Sequence, residues 1–319
     1  MSSVGPPADH VRRHRGFTVL ELLVLVGIVV ILLSIFIPYL LKMRESDQRA
    51  RCTENLRQLR EAFRAYASDN GSDFPRVVYD AAANPNGYAA YTGPDDPNPF
   101  APDSQVLPND VTASLWLLVR GGIVTDTARF ICPSSGDLRD PLTNPTGNPV
   151  NPGHRGNFRG GAHLSYSYSS PFSSTPGYLM NDTLPSDFAV MADKSPAGTI
   201  TAIKHNAPPL ELAKVNSTNH DRAGQNVLYA DGHIDFMRTP FCGVEKDNIY
   251  TALAPQTLEP GDSPPAYGSG YWGHDTGPSW PFDSYLVPVA ADNSATFSRR
   301  PAPATTQSST TTSTTTPAP

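Results

Sequence analysis

The chain lacks the short motifs that announce catalysis. It has no Gly-x-Ser-x-Gly elbow, no His-Glu-x-x-His pair and no glycine-rich phosphate loop, which removes the common hydrolase, metalloprotease and nucleotide-binding readings. The paired carboxylates Asp95-Asp96 sit in proline-rich sequence and read as solvated surface, so no enzyme is expected. Internal repeats are absent, excluding solenoids and propellers. There is no basic stripe away from the N-terminal apolar run, and the net charge is −6, which argues against a nucleic-acid partner. Proline runs the other way. With 33 prolines and 24 glycines in 319 residues, proline is about twice its usual ~5% while the pair stays below the ~25% of disordered chains. A folded but loop-heavy protein is expected.

The most informative absence is local. From Leu22 to Leu41, 20 consecutive residues carry no charge, about the length a helix needs to cross a hydrocarbon core of ~30 Å. Glu21 lies at the head of this run, where a buried carboxylate costs roughly 2.5–3.5 kcal/mol on insertion scales. Arg12, Arg13 and Arg15 precede it and hold the N-terminus on the cytoplasmic side by the positive-inside rule. Lys42, Arg44, Arg49 and Arg51 follow the run, suited to lipid headgroups, with Glu45 and Asp47 among them. No small-residue cleavage pattern follows the apolar segment, as a secretory signal would require.

The order Arg15-Gly16-Phe17-Thr18, two apolar residues, Glu21 and then the apolar helix resembles the cleavage and methylation signal of type IV prepilins and type II secretion pseudopilins. The resemblance implies cleavage between Gly16 and Phe17 by a prepilin peptidase and N-methylation of Phe17. It also implies that Glu21 pairs with the N-terminus of a neighbouring subunit, which would neutralise an otherwise stranded carboxylate. Pro38 matches the family's late proline, where a missing N–H kinks or loosens a helix.

Residues 1–16 are then a cytoplasmic leader, and 17–70 one long helix with its transmembrane part at about 18–42. Beyond the membrane Cys52, Leu56, Leu59, Phe63 and Tyr66 are spaced 4, 3, 4, 3 and share a face, opposite Glu54, Arg57, Arg60, Glu61 and Arg64. Asn70-Gly71 and Pro75 end the helix. Residues 71–297 read as a loop-rich α+β ectodomain, with proline-punctuated excursions at 79–110, 134–161 and 240–297, the last carrying Trp272 and Trp280. A short helix is expected at 113–120 after Asp110, and strands at 128–133, 163–169 and 188–192. Segments 226–230 and 233–237 flank Asp231-Gly232, the dipeptide of two-residue type I′ hairpins. The expected fold is pilin-like, α+β: a long helix whose first half spans the membrane, packed on a small antiparallel sheet. Residues 298–319 form a disordered tail, with 11 Ser/Thr and 4 Pro in 301–319 and no charge there; it is a candidate O-glycosylation substrate.

His220, ten intervening residues and Asp231-Gly232, within 219–237, resemble the H-X9-DG segment of many prepilin-type proteins, with one residue more than the name specifies. The extra residue would be absorbed near Arg222-Ala223-Gly224, ahead of the strand. His220 and Asp231, with Asp193 or His233, are candidate ligands for Zn or Mn, and the resemblance admits calcium. The alternative is structural, with His220 bonding the hairpin backbone and no cofactor bound. Cys52 and Cys132 are candidates for a disulfide stapling helix to sheet, leaving Cys242 over; buried free thiols are the alternative. Function is read as a structural subunit of a type II secretion pseudopilus or type IV-like filament. The chain would sit single-pass in the inner membrane with its C-terminal domain periplasmic. Its implied partners are a prepilin peptidase, other pilin-like subunits, an inner-membrane assembly platform with its ATPase, and membrane lipid. The rival is a monomeric, membrane-anchored periplasmic binding module using the long loops.

Overall fold

The apolar run and the amphipathic stripe behind it build one helix, α1, Val19–Asp69. The computed structural model describes residues 18–81, 98, 101, 106, 108–144, 147–196, 203, 205–252 and 277–287. The chain divides into two compact units, residues 1–47 and 48–319. In the first, every large apolar side chain from Val19 to Met43 is exposed, and the helix is long and apolar enough to cross a membrane. It runs on through Pro38, whose ring leaves the Ser34 carbonyl without a helical donor.

In the second unit the rest of α1 buries Cys52, Leu56, Leu59, Ala62 and Phe63, with Tyr66 half-buried against the same core. Each fully buried leucine contributes about 1.5–3 kcal/mol. Arg57, Glu61 and Arg64 stay exposed, as the stripe requires. The helix stops where Gly71 turns left-handed, at φ 65°, and the Ser72 N–H returns to the Ala67 carbonyl at 2.9 Å. Helix α2, Val111–Arg120, starts where Asp110 accepts from the Ala113 N–H and ends at Gly121. A further short helix, α3, Pro209–Val215, lies in a stretch with no clear helical pattern.

Among the described residues five strands form one antiparallel sheet: β1 Tyr166–Ser169, β2 Ala189–Asp193, β3 Gln225–Tyr229, β4 Ile234–Met237 and β5 Leu286–Val287, in the order β4-β3-β2-β1-β5. The alternation of β1 predicts one buried face, but all four residues are buried. Tyr166 and Tyr168 belong to the core that holds Phe63. On the serine side Ser167 Oγ accepts from the Ser195 N–H at 2.8 Å, and Ser165, just before the strand, pairs its Oγ with Ser135 Oγ at 2.8 Å.

Three expectations fail. The strand expected at 128–133 is a 3-10 turn, Thr127–Phe130, because the Asp126 carboxylate caps the Ala128 N–H and curls the chain. The hairpin turn is not two-residue type I′. Tyr229 pairs with His233 through its N–H and the Gly232 N–H reaches the Tyr229 carbonyl, so the loop holds three residues and only Gly232 is left-handed, at φ 94°. The 240–297 stretch, read as loop, supplies β5, which pairs with β1. Trp280 packs half-buried against the core, whereas Trp272 and most of 79–110 lie outside the described residues.

The segment carrying β5 brings Asp283 beside Asp247, both buried. Asp283 Oδ2 accepts from Ser279 N at 2.6 Å and Oγ at 2.9 Å, and Asp247 Oδ2 from Ser284 N at 3.0 Å. Burial pushes the Asp283 carboxyl up to about 7. Burial and then the Asp283 charge raise Asp247 well above the usual carboxylate range. Burial likewise lifts Asp110 to about 7, against hydrogen bonds from Ala113, Thr112 and Asn157. Carboxyls raised in the fold favour the protonated state. Their stabilisation is complete below the unfolded value and is lost as pH rises through about 7. Thermal unfolding is therefore expected at a lower midpoint at pH 8 than at pH 5, with Asp283→Asn narrowing the gap; a midpoint flat across that range refutes it.

Candidate functional site

Two places gather the residues singled out by sequence, one in each unit. At the start of α1, Glu21 Oε2 accepts from the Thr18 N–H at 2.8 Å and from Thr18 Oγ1 at 3.0 Å, and the Glu21 N–H reaches Thr18 Oγ1 at 3.2 Å. This is a reciprocal capping box, Thr-x-x-Glu, satisfying donors that the first helical turn leaves open. The carboxylate is hydrogen-bonded, but no cation is brought to it among the described residues of this unit. Gly16 and Phe17 lie outside the described residues.

The second place is a buried polar centre beside α1. His220 and Asp193 are both fully buried, with Nε2 3.4 Å from Oδ2. Three N–H groups converge on Asp193: Asn219 Nδ2 on Oδ1 at 3.1 Å, and the Asn226 backbone N–H and Nδ2 on Oδ2 at 2.6 and 3.0 Å. A carboxylate only accepts, so the amide end of Asn226 facing it is the NH2. The same NH2 lies 3.0 Å from His220 Nε2, which assigns the proton of a neutral ring to Nδ1 and leaves Nε2 as acceptor. Cys132 Sγ lies 3.5 Å from that nitrogen, and Cys132 is joined to Cys52 by a disulfide with Cα atoms 5.2 Å apart. The Tyr250 hydroxyl donates to the Asp193 carbonyl at 2.8 Å.

Each ligand-type side chain comes from a different element. Cys52 stands on the buried stripe of α1, Cys132 follows the 3-10 turn, and Asp193 ends β2. His220 sits in a turn where His220, Asp221 and Arg222 are all left-handed, at φ 56°, 52° and 60°. Such backbone is strained for non-glycine residues and persists only when the surroundings over-determine it. Here Ser134 Oγ accepts from the His220 N–H at 3.1 Å and Asn216 Nδ2 donates to the Arg222 carbonyl at 3.1 Å. The turn ends before β3 begins at Gln225.

Asp231, offered with His220 as a ligand, is not part of this centre. It sits exposed in the hairpin turn, where it accepts from the His233 N–H at 2.9 Å and pairs with the His233 ring. A hairpin of strands five and four residues long sends its turn to the far end from the residue that enters β3. The Asp-Gly pair thus serves the turn, with the Gly232 carbonyl accepting from Arg60 Nη1 of α1 at 3.1 Å. Asn226 was missed. Its only signal is an amide inside an otherwise apolar strand, Asn226-Val227-Leu228-Tyr229, where an unpartnered buried amide would be costly. Cys242 takes no part in the disulfide.

The centre has no solvent access through His220 or Asp193, and its sulfurs are bonded to each other. As arranged, it cross-links α1, β2, β3 and the 3-10 turn after α2. No protein-family description, curated protein or solved structure matches the chain.

Proposed function

We propose that the chain is a pilin-like structural subunit of a type II secretion pseudopilus or type IV-like filament. The observation that carries this reading is Glu21, a full negative charge in the first turn of a helix whose next 20 residues have none. Hydrogen bonds from Thr18 reach one carboxylate oxygen, Oε2, and leave the charge in place. In a bilayer that charge needs a cation. Cleavage after Gly16 creates one, the α-amine of Phe17, and packing of α1 segments side by side presents it to the Glu21 of a neighbour.

In this reading the chain waits single-pass in the inner membrane, N-terminus cytoplasmic and C-terminal unit periplasmic. A prepilin peptidase processes it, and a platform with its ATPase draws it into the fibre among other pilin-like subunits. The mature N-terminus tests it: mass spectrometry of protein from cells is expected to find N-methyl-Phe17 and no residues 1–16. A chain that keeps its leader overturns it.

The capping box favours a second reading. Thr18 and Glu21 serve equally well to start the helix of an uncleaved signal anchor, with the head acting alone as a binding module. That reading predicts an intact leader.

A further inference from the structure

We infer that Cys52, Cys132, Asp193 and His220 form a closed zinc site when the disulfide is reduced. The donor atoms Sγ, Sγ, carboxylate O and Nε2 all lie within 4.8 Å of one another, and all four residues are buried. Zinc bonds of about 2.3 Å to sulfur and about 2.0–2.2 Å to nitrogen and oxygen give tetrahedral edges of about 3.4 Å for N to O and about 3.5 Å for S to N. The His220 to Asp193 and Cys132 to His220 separations are 3.4 and 3.5 Å. Two of the six edges are therefore already set while the sulfurs are joined.

The remaining adjustment is local. The two sulfurs separate from a bond to a tetrahedral edge of about 3.8 Å. The Asn226 NH2, 3.0 Å from both His220 Nε2 and Asp193 Oδ2, swings off the ring nitrogen and keeps the carboxylate. The neutral His220 tautomer that keeps Nε2 unprotonated is the one that ligates. Asn219 and Asn226 hold the carboxylate as outer partners, as oriented ligands require. Four protein ligands and no open position describe a structural rather than a catalytic zinc site. Thiolates and imidazole together suit zinc rather than calcium or magnesium.

The chemistry balances. A dithiol reductant gives two electrons and two protons to the Cys52–Cys132 bond and becomes a disulfide itself, leaving two thiols. Zinc then displaces both thiol protons to solvent and is held by two thiolates, the Asp193 carboxylate and neutral imidazole. Disulfide and metal are thus exclusive: the disulfide joins α1 to the segment after the 3-10 turn, and the metal would join both to His220 and to Asp193 of β2, one for an oxidising and one for a reducing setting.

The test uses the full chain in detergent, reduced with a dithiol, given zinc and desalted without oxygen. Expected are about one zinc per chain after reduction and essentially none in the oxidised chain, with X-ray absorption showing two sulfur ligands. His220→Ala, which leaves the disulfide intact, is expected to weaken zinc retention against a chelator by about tenfold or more. If the reduced chain loses its fold, restoration of its circular dichroism by zinc supports the site and failure to restore it overturns the site. A reduced, folded chain without zinc also overturns it. So do equal zinc in both redox states, ligation without sulfur, and undiminished retention in His220→Ala.

Discussion

Glu21→Gln is expected to leave helix α1 capped, leave cleavage after Gly16 intact and abolish incorporation into fibres. The variant separates the two roles of this residue. Glutamine at the third helical position completes a capping box as glutamate does, so the contacts with Thr18 survive in kind. What disappears is the charge. If the charge recruits the amine of a neighbouring Phe17, its loss leaves that amine unpaired in lipid, a penalty of a few kcal/mol at each subunit contact. Across a polymer that suffices to exclude the variant from assembly. Glu21→Ala removes both functions and should add fraying of the first turn, worth about 1 kcal/mol. The measurement is co-purification of tagged variants with wild-type fibres. Wild-type levels of the glutamine variant in fibres would remove the mechanism and leave the capping box as the whole reason for Glu21.

Cys52→Ser or Cys132→Ser is expected to be the most damaging single change in the second unit when measured under oxidising conditions with a chelator present. The bridge closes a loop of 80 residues, for which the chain-entropy account gives roughly 4.5 kcal/mol of lost stability. Each variant also strands a partner thiol and a hydroxyl beside His220 and Asp193 in a fully buried space. Cys242→Ser, outside the bridge, should cost far less. Denaturant unfolding compares the three, and a thiol count in the denatured, unreduced wild type should find one free thiol per chain. Three free thiols, or equal losses for all three variants, would refute the role given to the bridge.

Much of the fold could be read from residue order because the signals were short-range. The stripe Cys52, Leu56, Leu59 and Phe63 is a 3.6-residue period, and Asp110 caps α2 three residues away. The hairpin was visible in Asp231-Gly232, but its loop length was not. A type I turn followed by a left-handed glycine and a two-residue type I′ turn use the same dipeptide, and strand register chooses between them. The 128–133 error has the same character. Ala128-Arg129-Phe130-Ile131 is apolar enough for a strand, yet one carboxylate two residues upstream curls it into a turn. Strand β5 has two residues and makes sense only against β1.

The candidate site divides along the same line. Residue order alone determined that a charge-free stretch long enough for a bilayer starts at Leu22, that Glu21 stands at its head, and that Cys52 faces the protein interior. These are local patterns of charge and period, and no distant residue can alter them. Only the tertiary structure decided that Asp193 and not Asp231 meets His220, that Asn226 joins them, and that Cys52 and Cys132 close on the same point. Those five residues span 174 positions, from Cys52 to Asn226, and a buried polar cluster is specified by which hydrogen bonds the packed chain can complete, a property no single segment carries.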